Sequence, residues 1–195
     1  MIELRSLSKN FNNRVLFSDI TFTFDKKISL ITGDNGSGKS TLLKIIAGIS
    51  RPTKGEVERN SDSIFYLPVN GGIYPDISLD RYSNMICDIF DINYDWFLSN
   101  LKLMEINSNS ASRHMRTFSS GEIKSICLSL ACAYSGFILL DEPEANLSNN
   151  KLECFKKLIE VSIIEPHRKF IMCTHRPELF EGTDISNIYL KNEFV

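Results

Sequence analysis

Three things are scarce in this chain of 195 residues. There is no basic excess: 22 Lys and Arg stand against 24 Asp and Glu, a formal charge of −2. Nucleic-acid binders usually carry a positive footprint, so no nucleic-acid partner is expected. No apolar run has the length that spans a bilayer, and Met1-Ile2-Glu3-Leu4-Arg5 lacks signal-peptide organisation. Any membrane role is therefore expected to be peripheral. Cysteines arranged as a framework are also missing. The five present (Cys87, Cys127, Cys132, Cys154, Cys173) are odd in number, scattered and without metal spacing. They read as reduced packing residues of a cytoplasmic protein. The length suits one domain with a sizeable core, and neither a repeat nor a low-complexity tract interrupts it.

What is present is chemistry for phosphate. Gly33-Asp34-Asn35-Gly36-Ser37-Gly38-Lys39-Ser40 fits the pattern G-x-x-x-x-G-K-[ST] without a gap. Before it, Ile28 to Thr32 is an apolar run suited to a buried strand. After it, Thr41 to Ala47 has helical spacing and stops at Gly48. A strand, a glycine loop and a helix N-terminus together aim several backbone N–H groups at one polyphosphate. Asn35, Gly36, Ser37, Gly38, Lys39, Ser40 and Thr41 are the expected contacts. Gly36 and Gly38 allow close backbone approach. Lys39 is expected to reach the β- and γ-phosphates, and the Ser40 hydroxyl to ligate Mg²⁺. The plainer alternative, a glycine turn before a helix, does not account for the agreement of motif and context.

A second cluster points from nucleotide binding to hydrolysis. Phe137-Ile138-Leu139-Leu140 suits a strand covered on both faces, and it runs into Asp141-Glu142-Pro143. Ligands of open parallel sheets bind beyond the carboxyl ends of the strands. Asp141 is thereby placed to hold Mg²⁺, and Glu142 to orient and deprotonate an attacking water. Pro143 then turns the chain away.

The remaining chain sorts into two textures. Residues 1–75 alternate apolar and polar positions in short runs, at Ile2 and Leu4, at Ile20, Phe22 and Phe24, and at Ser63 to Leu67. All three runs are expected in an antiparallel layer beside the nucleotide sheet. From Asp76 to Tyr134 the spacing is helical, at Tyr82, Met85, Ile86, Ile89 and Phe90, then Leu98, Leu101 and Leu103. Residues 107–116 are polar and read as loop. An amphipathic helix is expected over Lys151 to Ile164, a strand over Lys169 to Cys173 and a last strand at Ile188-Tyr189-Leu190.

A third element identifies a family. Phe118-Ser119-Ser120-Gly121-Glu122 precedes a helix-compatible stretch, Ile123 to Tyr134, shortly before the acidic strand. Phosphate loop, serine-glycine signature and Asp-Glu strand in this order resemble the ATP-binding cassette (ABC) ATPases. The resemblance runs over essentially the whole chain. It implies an α/β fold: a P-loop NTPase core with a mostly parallel sheet, an antiparallel β-layer and an inserted helical subdomain. On that reading 1–195 is a single ABC ATPase domain. Its core is 1–75 with 135–195, and 76–134 is the helical part ending in the signature.

The resemblance also assigns roles. Phe11 stands where an aromatic stacks on adenine, and the alternative for it is ordinary core. His175, after Phe170-Ile171-Met172-Cys173-Thr174, matches the switch histidine, and the alternative is a strand-end histidine. Ser119 and Gly121 of one cassette would contact the γ-phosphate of ATP held by another, although Ser119 also suits a plain helix cap. Lys39, Glu142 and His175 are the implied catalytic groups, ATP and Mg²⁺ the implied ligands, and a homodimer or heterodimer of cassettes the working form. Three departures stand out. The usual signature is Leu-Ser-Gly-Gly-Gln, against Phe118, Ser120 and Glu122 here. The glutamine that usually follows Tyr-Leu-Pro is Val69, with Asn70 beside it as a substitute. The Asp usual after the catalytic strand is Ser148.

The implied function is the ATP-hydrolysing subunit of an ABC membrane transporter, docked on a polytopic membrane subunit at the cytoplasmic face. The docking cleft is expected between Val69 and the start of the helical arm, near Ile73, Tyr74, Tyr82, Trp96 and Phe97, most of which also suit the core of that arm. The chain resembles short exporter-type ATPases, which leans the expectation towards export. The alternatives are a soluble ABC ATPase acting on ribosomes, nucleic acid or protein assembly, and a non-hydrolysing cassette within a heterodimer.

Overall fold

Among the described residues, two sheets and five α-helices form the fold. A computed structural model describes residues 1–11, 14–60 and 63–191. Strands β1 (Ile2–Phe11), β2 (Arg14–Phe24) and β4 (Lys54–Arg59) form an antiparallel sheet in the order β2-β1-β4. Strands β3 (Ile28–Gly33), β5 (Ile64–Leu67), β6 (Phe137–Asp141), β7 (Lys169–Cys173) and β8 (Ile185–Leu190) form the second, in the order β5-β6-β7-β3-β8. Every neighbouring pair in it is parallel. A sheet of this kind is covered on both faces, and Phe137 to Asp141 is accordingly buried at every position.

Helix α1 (Lys39–Ile46) follows β3, and α2 (Leu79–Phe90) and α3 (Tyr94–Leu103) follow β5. Helix α4 (Ser120–Ala133) leads into β6, and α5 (Asn149–Ser162) joins β6 to β7. Ser78, Asn93, Ser119 and Ser148 each accept a backbone N–H with their side chains at the N-caps of α2 to α5, as short polar side chains do. Two apolar clusters form, one on each face of the parallel sheet. The first joins alternate strand residues such as Leu30, Ile138 and Phe170 to Phe97, Leu128 and Phe155 of the helices. The second joins Ile31, Leu139 and Ile171 to Leu42 and Ile46 of α1 and to Ile2, Leu4 and Phe24 of the antiparallel sheet. That division follows from the two-residue period of a strand.

The expected elements are present, with shifts. Ser63 to Leu67 does not join the antiparallel layer: β5 pairs parallel with β6, Leu67 opposite Leu140. An edge strand next to a buried one alternates like a strand of an antiparallel sheet, so its pattern alone did not distinguish them. Helix α5 begins at Asn149, two residues before the expected start, because Ser148 rather than a later residue caps it. Residues 107–116 are loop with short 3₁₀ turns. All five cysteines are free and buried. Burial pushes the Cys127 thiol up to about 11 and that of Cys132 up to about 12, so both are inert packing groups near neutral pH. Among the described residues, no helix is long and apolar enough to cross a membrane.

Candidate nucleotide-binding and hydrolysis site

Because the strands are parallel, β3, β5, β6 and β7 all end on the same side of the sheet. The segments that leave those ends are 33–40, 68–72, 142–147 and 174–176, which gathers the sequence motifs on one edge.

The glycine loop is shaped by two close approaches. Gly33 has φ 140, and a Cβ there would lie 2.0 Å from Leu190 O of the neighbouring strand β8. Gly38 has φ 98, and a Cβ there would lie 2.6 Å from Leu16 Cγ. Both positions require glycine sterically as well as conformationally. Lys39 is buried, with its Nζ donating to Gly33 O and Asp34 O at 2.9 Å each, so its ammonium sits inside the loop. The Ser37 hydroxyl is buried and has no hydrogen-bond partner. A buried unpaired hydroxyl costs free energy, and a phosphate oxygen beside it would remove that cost.

A cleft of about 270 Å³ opens over the loop. Asn35, Gly36, Gly38, Lys39, Ser40 and Thr41 form one wall, Glu142 and His175 another. Phe11 and Leu16, from the antiparallel sheet, close the third. Phe11 is not core. It is 52% exposed at the cleft rim, with Lys9 Nζ over its ring 4.8 Å from the centroid. Leu16 carried no motif signal, and only its contact with Gly38 reveals it.

Ser40 Oγ donates to Asp141 Oδ1 at 2.8 Å, and Tyr66 Oη donates to Asp141 Oδ2 at 3.4 Å. Burial is the main cause that raises the Asp141 pKa from its ordinary value. Glu142 adds to the lift, and the Ser40 and Tyr66 bonds oppose it. The Tyr66 phenol is pushed up in turn, first by burial and then by the Asp141 charge. A hydroxyl beside a carboxylate is an all-oxygen donor pair of the kind Mg²⁺ takes, so Ser40 and Asp141 fit that ion. Tyr66 was missed by sequence reasoning. Its strand periodicity was visible, but which strand it faced was not.

Glu142 has φ 46, an uncommon conformation for a residue with a side chain, and its N–H continues the ladder by donating to Cys173 O at 2.9 Å. Its Oε1 lies 3.3 Å from His175 Nε2. The carboxylate and the imidazole therefore meet at the cleft wall, 33 residues apart. Glu144, another residue sequence reasoning passed over, accepts from the Thr174 hydroxyl and the His175 backbone N–H.

Ser119 and Gly121 are not part of this cleft. Ser119 Oγ accepts from Glu122 N, while Glu122 Oε2 accepts from Ser119 N at 2.8 Å, a reciprocal capping box at the start of α4. The Glu122 departure from the usual glutamine thus closes the cap. The hydrogen bonds from Ser119 are the main cause that lowers the Glu122 pKa. A Cβ on Gly121 would lie 2.9 Å from Asn146 O, so glycine here lets the signature helix touch the turn after Pro143. Asn70 is also outside the cleft. It lines a separate hollow of about 160 Å³ with Ser120 and Asn146, beside the Lys124 side chain. Lys124, only 3% exposed, donates to Val69 O at 3.1 Å, and burial lowers its pKa.

The expected docking residues separate. Tyr82 and Phe97 are core, Tyr74 is exposed, and Trp96 stands apart, stacked on the Arg168 guanidinium at 3.9 Å. An apolar hollow of about 170 Å³ does lie next to this region, between the end of β5 and helix α2, lined by Phe65, Leu67, Pro68, Tyr82, Ile86 and Phe90 among others.

Comparison with known proteins agrees with this geometry. A family model described as "ABC transporter" matches residues 17–145, about two thirds of the chain. The zinc import ATP-binding protein ZnuC of Rickettsia conorii is 29% identical over 169 residues, covering 83% of this chain and 70% of that protein. The cytochrome c biogenesis ATP-binding export protein CcmA of Reclinomonas americana is 28% identical over 163 residues, covering 76% of this chain and 73% of that protein. Among solved structures, a putative ABC transporter ATP-binding protein from Pyrococcus furiosus superposes with a TM-score of 0.83 at 23% identity, covering 97% and 96% of the two chains. A dimeric ATP-binding cassette in a post-hydrolysis state, bound to ADP and Pi, superposes with a TM-score of 0.84 at 20% identity, covering 99% and 97%.

Proposed function

The chain belongs to the ABC transporter family, and from that premise we propose that it energises a membrane transporter by ATP-driven closing of a pair of cassettes. It is an ATPase of the kind that serves import and export systems. The observation that carries the site assignment is the meeting of the glycine loop, Glu142 and His175 in one cleft.

The half-exposed ring of Phe11 stacks on the adenine of ATP. Backbone N–H groups of residues 35–41, at the start of α1, take the phosphate oxygens. The Lys39 ammonium leaves the Gly33 and Asp34 carbonyls for the β- and γ-phosphates. Ser40 and Asp141 would hold Mg²⁺, which when bound offsets phosphate charge. Glu142 orients a water and accepts its proton as the water oxygen bonds to the γ-phosphorus and the bond to the ADP oxygen breaks. His175, in contact with Glu142 Oε1, keeps that carboxylate aimed. Residues 1–195 act as one ABC ATPase domain, 1–75 with 135–195 as nucleotide-binding core and 76–134 as the helical part.

Ser119 and Gly121 lie outside their own chain's cleft, which supports their use across a dimer, against the γ-phosphate held by a second cassette. In a two-fold pair that contact is reciprocal, so ATP stabilises the closed form and hydrolysis releases it. The pair is of two copies or of this chain with a relative. The hollow beside β5 and α2, lined by Phe65, Leu67, Pro68, Ile86 and Phe90, is the surface offered to a polytopic membrane subunit. The chain then sits at the cytoplasmic face without entering the bilayer. The relatives carry names for both directions, zinc import and cytochrome c biogenesis export. The cassette cycle is the same for either, and the direction belongs to the membrane subunit.

The test is purification of the tagged chain from its native cells in mild detergent at natural abundance. A stoichiometric polytopic membrane protein is the expected companion. Recovery with ribosomes, nucleic acid or soluble proteins alone would overturn the transporter assignment in favour of a soluble ATPase.

A further inference from the structure

We infer that Glu144 is a positioning residue for His175, acting as the clamp that joins the two catalytic turns. The inference rests on the assignment of Glu142 and His175 to hydrolysis made above. Two donors converge on a single carboxylate oxygen. The Thr174 hydroxyl reaches Glu144 Oε1 at 2.8 Å, and the His175 backbone N–H reaches the same atom at 2.7 Å. Thr174 Oγ1 itself accepts from Arg176 N at 2.9 Å. One side chain on the turn after β6 thus fixes three consecutive residues on the turn after β7.

The position of the clamp matters because the strand ladder ends just before it. Asp141 pairs with Cys173, and the Glu142 N–H makes the last contact, to Cys173 O. Beyond that point, among the described residues, no backbone–backbone hydrogen bond joins the two turns. The His175 ring is 42% exposed, and its contact with Glu142, at 3.3 Å, is at the long end of the hydrogen-bond range. Besides that long contact, the ring is aimed through its own backbone, which Glu144 holds. The second oxygen, Oε2, is buried without a partner. A half-satisfied carboxyl is a costly choice for a plain turn, and it is tolerated where the geometry it imposes has a use.

Steady-state ATP hydrolysis by the full chain, with equilibrium binding of a fluorescent ATP analogue and thermal melting, tests this. Glu144→Ala is expected to lower kcat about tenfold or more while nucleotide affinity stays within about twofold. Glu144→Gln keeps an acceptor oxygen at the same place and is expected to retain kcat within about threefold. Glu144→Ala added to His175→Ala is expected to cost nothing further, since the clamp acts only through the histidine. Wild-type kcat in Glu144→Ala, or a loss that multiplies fully with that of His175→Ala, overturns the inference while leaving the site assignment intact. Wild-type kcat in His175→Ala overturns the assignment itself, and the inference with it. If Glu144→Ala does not fold, Thr174→Val removes half of the clamp. An unchanged kcat in that variant overturns the inference, and a several-fold loss at unchanged affinity supports it.

Discussion

The Ser40 hydroxyl donates to Asp141 Oδ1 at 2.8 Å, joining residues 101 positions apart in sequence. The parallel order β6-β7-β3 brings them to one edge, and burial sets the cost of the arrangement. Burial raises the Asp141 pKa from its ordinary 3.8. The fold therefore holds that proton more tightly than the unfolded chain does. Ionising Asp141 costs stability above its folded pKa, and the cost fades as pH falls through that pKa towards 3.8. Asp141→Asn is expected to raise the Tm of the nucleotide-free protein by about 2–4 °C at pH 7, to lose this advantage in acid, and to abolish turnover. An unchanged or lower Tm at pH 7 would mean that the Ser40 and Tyr66 bonds outweigh burial.

Glu142→Gln keeps the shape of the cleft wall and removes the base. We expect kcat to fall by roughly 10²–10⁴-fold. Nucleotide binding should survive, so size-exclusion chromatography with ATP and Mg²⁺ should give a dimer that the wild-type chain forms only transiently. Undiminished turnover would sink the role given to Glu142.

Phe11 contributes a ring face and little else, being half exposed at the cleft rim. Phe11→Ala is expected to weaken ATP binding about tenfold, with kcat at saturation nearly unchanged and Tm shifted little. Titration with ATP and with inorganic triphosphate separates the effects. Only ATP should be affected, and equal weakening of both would place Phe11 elsewhere.

The loop glycines should differ in kind. A Cβ at Gly33 meets the Leu190 carbonyl at 2.0 Å, so Gly33→Ala must part β3 from β8 and is expected to prevent accumulation of folded protein. Gly36 has φ 78 but only the Arg14 guanidinium at 4.0 Å, so Gly36→Ala should fold at a cost of roughly 1 kcal/mol. Comparison of soluble yield and Tm checks this. Equal behaviour of the two variants would show that the sheet adjusts around residue 33.

The expected phosphate site was legible because its residues are contiguous: 33–41 supply loop, cation and hydroxyl within one strand–turn–helix unit. Asp141 and Glu142 were legible from an apolar strand that ends in acids. Tyr66, Glu144 and Lys124 were not, because each acts on a residue tens of positions away. Lys124, for example, reads as a solvated helix residue until its burial against Val69 O is seen.

Local chemistry thus determined by itself where the strands, the glycine turn and the helix caps fall, since these depend on backbone reach, side-chain period and hydrogen bonds over a few residues. Only the tertiary structure decided that β5 joins the parallel sheet and that Tyr66 reaches Asp141. It also decided that Glu144 clamps the His175 turn. Strand order and side-chain pairing across turns arise from packing two faces of one sheet at once, and no short stretch of sequence carries that information.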